Sequence, residues 1–137
     1  MTFYILLAAI IFCMFMSIKA LFAPTNLTDQ KIALTDLLWL LFLYGTICAG
    51  FGSIYLLFEM KQIPVILERG SELSGNFFSK LGSAFYFSAM TLFSVGYGDM
   101  FPIGIGRWIA TIQSFIGYTL PAAFVVRTVI DYDNERN

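Results

Sequence analysis

Histidine is absent from this chain, and only 12% of its 137 residues are charged. The first absence removes the commonest general base and metal ligand. The second sets the chain apart from soluble domains, which carry about 25% charged residues. Cysteine is scarce: Cys13 and Cys48 both lie inside apolar runs. Their spacing suits no metal site, no disulfide between them is expected, and they read as small buried hydrophobes. The net charge of −1 offers no basic surface for nucleic acid. A voltage sensor needs several spaced arginines, whereas the first apolar run holds one lysine, Lys19. The polar groups of the apolar runs are Lys19, Gln113 and scattered hydroxyls. They make no base–nucleophile set, so neither an enzyme nor an organic cofactor is expected.

What is present is hydrophobic residue, at 58%. A helix of roughly 20 apolar residues crosses a hydrocarbon core of roughly 30 Å. Three runs reach that length: Phe3 to Ala23, Leu37 to Phe58 and Trp108 to Val126. The first lacks a positive n-region and a clear small-x-small cleavage site, so it is expected to stay as a span. A fourth apolar piece, Leu81 to Phe93, is too short to cross and reads as re-entrant. The fold class expected is an all-α membrane protein with three transmembrane helices, a re-entrant helix and a loop after it. Its boundaries are a first helix at 1–23, a linker at 24–36, an outer helix at 37–59 and a polar loop at 60–80. The re-entrant helix takes 81–93, the inner helix 105–128 and a short tail 128–137. Gly45, Ala49 and Gly52/Ser53 recur at helical spacing on the second run. They allow close approach by the first or the inner helix.

Between the short helix and the last span stands "TLFSVGYGDMFP", Thr91 to Pro102. Irregular backbone at membrane depth survives only within protein or beside a watery cavity. Backbone carbonyls set in rings can replace the water around a cation. Successive carbonyls face one way when alternate residues have opposite-handed dihedrals. Gly96 and Gly98 permit positive φ without a Cβ penalty. Val95 and Tyr97 then turn away from the oxygens, and Ser94 adds a hydroxyl at the inner end. One chain supplies one wall, so four copies about one axis, a homotetramer, complete the rings. The helix before the stretch ends near Phe93, and its carbonyl end favours a cation. Phe85, Tyr86 and Phe87 are placed to pack behind Tyr97.

The string "SVGYGD" resembles the selectivity-filter signature of potassium channels, T-V-G-Y-G-D. An outer helix, a pore helix, the filter, "DMFP", "GR" and an inner helix follow in that family's order over Leu37 to Arg127, a pore domain at 37–127. The resemblance implies passive, K+-selective conduction through a tetrameric carbonyl filter. Ser94, Val95, Gly96, Tyr97 and Gly98 would line the ion sites, with K+ as the permeant ligand. Asp99 would stand behind the outer mouth, hydrogen-bonded to Tyr86 where many relatives have tryptophan. Gly117 resembles the inner-helix hinge glycine, and close helix packing explains it equally. Pro121 should kink the helix. Ser94 replaces the usual threonine, Phe93 a second threonine, and Met90 a glutamate that pairs with the filter aspartate in some bacterial channels. Filter inactivation is therefore expected not to depend on such a carboxyl pair.

The same resemblance sets the orientation, because the family's filter lies at the outer face. Residues 24–36 and the C-terminus would then be cytoplasmic and the N-terminus outside, in the cell membrane. Arg107 reads either as a snorkelling helix-end arginine or as a site for an anionic lipid head group. Asp131, Asp133 and Glu135 read as a solvated helix end or as rings of acid near the inner mouth. Gln113 faces a neighbouring helix or the cavity. Two rival functions stand beside K+ selectivity: a nonselective monovalent cation channel, and a nonconducting sensor or scaffold subunit.

Overall fold

The computed structural model describes residues 2–22 and 32–135. Along the chain come α1 (Thr2–Phe22), α2 (Ile32–Met60), β1 (Ile66–Glu68), β2 (Ser71–Glu72), α3 (Phe77–Leu92), β3 (Met100–Pro102) and α4 (Gly106–Glu135). The linker residues 23–31 and the side chains of Asp131, Asp133 and Glu135 lie outside what is described.

Among the described residues, two helical stretches are long and apolar enough to cross a membrane, Leu38–Met60 and Gly106–Val126. The apolar part of α1, Thr2–Ser17, is shorter. The α2 span is 44% buried and the α4 span 22%, which makes α2 the hub of the chain. In lipid, burial of apolar surface does little to join helices; close packing and interhelical hydrogen bonds do. The sequence of α2 supplies both. Gly50 receives Met14 of α1, whose sulfur occupies the space a Cβ would need. Gly52 receives the ring of Phe85 from α3, 2.9 Å from where a Cβ would stand. Nothing lies within 4 Å of such an atom at Gly45. The small-residue stripe thus works differently from expectation: Gly52 takes the re-entrant helix, and the neighbouring Gly50 takes the first helix.

The segment read as a polar loop contains β1 and β2, which form a three-stranded antiparallel sheet with β3 in the order β2-β1-β3. The fold is therefore not purely helical. Arg69 and Gly70 turn β1 into β2 with φ of 49° and 85°, the handedness a two-residue hairpin turn of type I′ requires. β1 also pairs with β3, Leu67 opposite Phe101 and Glu68 opposite Met100. The sheet thus joins the loop before α3 to the strand after the glycine stretch. Glu59, buried in the last turn of α2, holds its near end. Its Oε1 accepts from the Val65 and Ile66 amides at 2.8 and 3.1 Å.

The helix α3 begins at Phe77, four residues ahead of the expected start. Asn76 caps it by accepting from the Ser79 amide at 3.0 Å, which satisfies one of the free N–H groups of the first turn. Apolarity alone hides this start, because Ser79 and Lys80 separate Phe77 and Phe78 from the apolar run that begins at Leu81. With 16 residues, α3 spans about 24 Å and falls short of the membrane. The inner helix α4 runs on past Asp131 to Glu135, so most of the expected tail is helical, with Pro121 inside it.

Candidate functional site

The glycine stretch leaves α3 through three short hydrogen bonds. The amides of Phe93, Ser94 and Val95 donate to Ala89, Thr91 and Met90 carbonyls at 3.0, 3.2 and 2.9 Å. Handedness then alternates. Ser94, Gly96 and Gly98 have φ of 55°, 55° and 80°, while Val95 and Tyr97 between them do not enter the positive region. That is the alternation that lets successive carbonyls face one side. The glycines were anticipated; Ser94 was not, since a non-glycine at positive φ is uncommon. The i, i+2, i+4 spacing back from Gly98 and Gly96 was the signal for it. Serine has no β-branch and takes this conformation more readily than threonine would.

Asp99 follows the glycine stretch and is held twice. The Tyr86 hydroxyl donates to its Oδ2 at 3.0 Å. Its carbonyl accepts from the Arg69 amide at 2.9 Å, which carries the β1–β3 ladder one residue further. Partial burial, and then the hydrogen bond and negative charge of Asp99, raise the Tyr86 phenol above its ordinary range. Ser83, one turn before Tyr86, donates to Glu68 of β1 at 3.2 Å. Met90 contributes its backbone carbonyl to the turn rather than any carboxyl.

The aromatic cluster divides. Phe85 lies against Gly52, and Phe87 meets Tyr55 edge-on at 5.1 Å, both in α2. Tyr86 turns the other way, to Asp99. This corrects the expectation that all three pack behind Tyr97. Successive helix residues point about 100° apart, so three in a row cannot share one face. Tyr97 and Val95 are 73% and 47% exposed on the protomer.

Gln113 resolves to the neighbouring-helix reading. Fully buried, it accepts from the Tyr55 hydroxyl at 2.9 Å. Its Nε2 donates to the Ser88 carbonyl and hydroxyl at 2.9 and 2.7 Å. Ser88 donates in turn to the Cys48 carbonyl at 2.8 Å. Each group has one consistent role along this chain, which fastens α3 to α2 and α4. Sequence reasoning missed Tyr55 and Ser88; Ser88 sits among hydrophobes with no motif to mark it.

Beside the start of the stretch Gly117 packs on the end of α3, where a methyl would overlap the Leu92 carbonyl oxygen. The Tyr44 hydroxyl donates to the Gly117 carbonyl at 2.6 Å. The Tyr44 ring stacks on Phe93, with centroids 5.4 Å apart and planes 15° from parallel. A cavity of about 740 Å³ opens beside them, lined by Leu40, Phe93, Ser94, Gly117 and Pro121 among others. Close packing is thus present at Gly117. Arg107 is exposed in the first turn of α4, its Nε donating to the Pro102 carbonyl at 3.4 Å. It borders a groove of about 400 Å³ with Gly104, Trp108 and Thr111.

An ion channel family model matches residues 39–132, from the second turn of α2 to the last turns of α4. The protein named LctB of Geobacillus stearothermophilus is 41% identical over 117 residues, covering 85% of this chain and 87% of that protein. The LctB protein of Bacillus caldotenax is 38% identical over 118 residues, covering 86% and 88%. No solved structure gives a significant match. The matched region contains the whole of the glycine stretch and every element that positions it. The chain therefore belongs to the ion channel family, and it is a membrane channel protein rather than an enzyme.

Proposed function

We propose that the chain is a potassium channel subunit that conducts K+ passively through a filter of main-chain oxygens at Ser94, Val95, Gly96, Tyr97 and Gly98. The observation that carries this reading is the alternation of φ at 94, 96 and 98. A loop with no ion to satisfy it gains nothing from aligned, dehydrated oxygens. The C-terminal end of α3 adds partial negative charge behind the filter. Asp99 and Tyr86 support its outer end, and no cofactor besides the permeant K+ is required.

One protomer gives one side of the ring, so the working unit is a homotetramer. Support comes from Tyr97 of the glycine stretch, which a single chain leaves 73% exposed. In this reading α1 is a third span, the N-terminus lies outside and the C-terminus is cytoplasmic. Gly117 and Pro121 form the bending point of the inner helix. Arg107, with Trp108 beside it at the membrane surface, takes an anionic lipid head group.

The test is efflux from liposomes loaded with K+ or with Na+. K+ efflux with little Na+ efflux, abolished by Gly96→Ala, supports the reading. Equal rates for both ions would point to a nonselective cation pore, and no efflux of either to a nonconducting subunit.

A further inference from the structure

Pro121 has no N–H, and in a helix its missing bond would go to the carbonyl four residues earlier. That carbonyl belongs to Gly117. It is not left unpaired, because the Tyr44 hydroxyl of α2 donates to it at 2.6 Å in a buried setting. The same tyrosine stacks flat on Phe93, the residue that caps α3 and directly precedes Ser94. One side chain therefore touches both the weak point of α4 and the foot of the glycine stretch.

We propose that Tyr44 is a positioning residue that couples the bend of α4 to the conformation of Ser94. This rests on the channel reading and adds a means of regulation to it. When α4 bends at Pro121 the Gly117 carbonyl leaves Tyr44, and the N–H four residues on that would otherwise replace the lost bond is missing. The same bend lifts Gly117 from the Leu92 carbonyl, which it now touches so closely that a Cβ has no room. Release of the Tyr44 hydroxyl frees its ring to shift on Phe93, and the next residue is Ser94 with φ of 55°. Tyr44, Phe93, Ser94, Gly117 and Pro121 all border the same cavity of about 740 Å³. Bending of α4 and the geometry of the innermost filter residue are thus linked in both directions, as any coupling between two sites must be.

The test uses the full chain in liposomes, with ¹³C labels read by solid-state NMR at the Gly117 carbonyl and at Ser94. The variants are Tyr44→Phe, which keeps the ring and removes the hydroxyl, Pro121→Ala, which restores an N–H to the Gly117 carbonyl, and the double variant. Tyr44→Phe should move both signals. It should shift the K+ titration midpoint of the Ser94 signal by about twofold or more, the lower edge of coupling for residues sharing a hydrogen bond. Pro121→Ala should largely cancel that shift in the double variant. Movement of the Gly117 signal alone, or equal effects of Tyr44→Phe with and without Pro121, would overturn the proposal. If K+ leaves Ser94 unchanged in the unmodified protein, the channel reading fails, while the response of Ser94 to Tyr44→Phe still decides the coupling.

Discussion

The side-chain amide of Gln113 in α4 reaches both oxygens of Ser88 in α3, the carbonyl at 2.9 Å and the hydroxyl at 2.7 Å. This amide ties α4 to the short helix that carries the glycine stretch, beside the Ser88–Cys48 bond that ties the same helix to α2. Replacing Gln113 by leucine leaves the buried Tyr55 hydroxyl without its partner. An orphaned buried polar group costs about 1–3 kcal/mol, whereas removing both partners is nearly neutral. Gln113→Leu should thus lower the thermal stability of the detergent-purified protein more than Tyr55→Phe/Gln113→Leu does. A double variant as unstable as the sum of its single changes would contradict the network.

Two glycines on different helices should respond unequally to the same change. At Gly117 an added methyl overlaps the Leu92 main-chain oxygen, while at Gly45 it meets nothing within 4 Å. Main chain cannot yield as a side-chain tip can, so Gly117→Ala should cost on the order of 1–3 kcal/mol, as overpacking does. Gly45→Ala should stay within about 0.5 kcal/mol of the unmodified protein, as surface changes usually do. Unfolding transitions of the two variants, measured side by side, check the contrast.

Glu59 has a task that its place beside a charge-free run does not reveal. Its Oε1 accepts from two amides, Val65 and Ile66, and so starts the sheet that ends beside Asp99. Glu59→Ala leaves two buried N–H groups unpaired, each at a cost of about 1–3 kcal/mol. Glu59→Gln keeps an oxygen in place and should cost distinctly less. Amide hydrogen exchange at Val65 and Ile66 reports directly: fast in the alanine variant, close to normal in the glutamine variant.

The Tyr86–Asp99 bond has a pH signature. A tyrosine whose folded pKa is raised favours the neutral hydroxyl in the folded state. Its contribution is complete below the ordinary value of 10.0 and is lost as pH climbs through the raised one. Ion flux should therefore hold up to about pH 10 and fall above it. In Tyr86→Phe flux should be lower at neutral pH, and the part of the alkaline fall due to this group should vanish. Identical alkaline profiles in the two proteins would remove Tyr86 from the filter's support.

Much of this site was legible because its chemistry is in the main chain. Glycine at 96 and 98 announces positive φ whatever surrounds it, and a 20-residue apolar run announces a span. The unread parts depend on pairings between distant residues. Ser88 and Gln113 stand 25 positions apart, and Tyr44 and Gly117 stand 73 apart; no local pattern links them. The sheet escaped notice for a similar reason. Its strands have three, two and three residues, too few for period-two alternation to show. The α3 start hid behind Ser79 and Lys80, which interrupt the apolar run after Phe77 and Phe78, and the sign of it was the cap residue Asn76.

The account rests on oxygens of residues 94–98 from four chains enclosing a desolvated monovalent cation. Crystals grown in Tl+ test this most directly, through the ion's anomalous scattering. The account predicts a row of peaks on a fourfold axis between Ser94 and Gly98, lost when Na+ replaces Tl+. Peaks away from such an axis, or none beside these residues with Tl+ present, would contradict it.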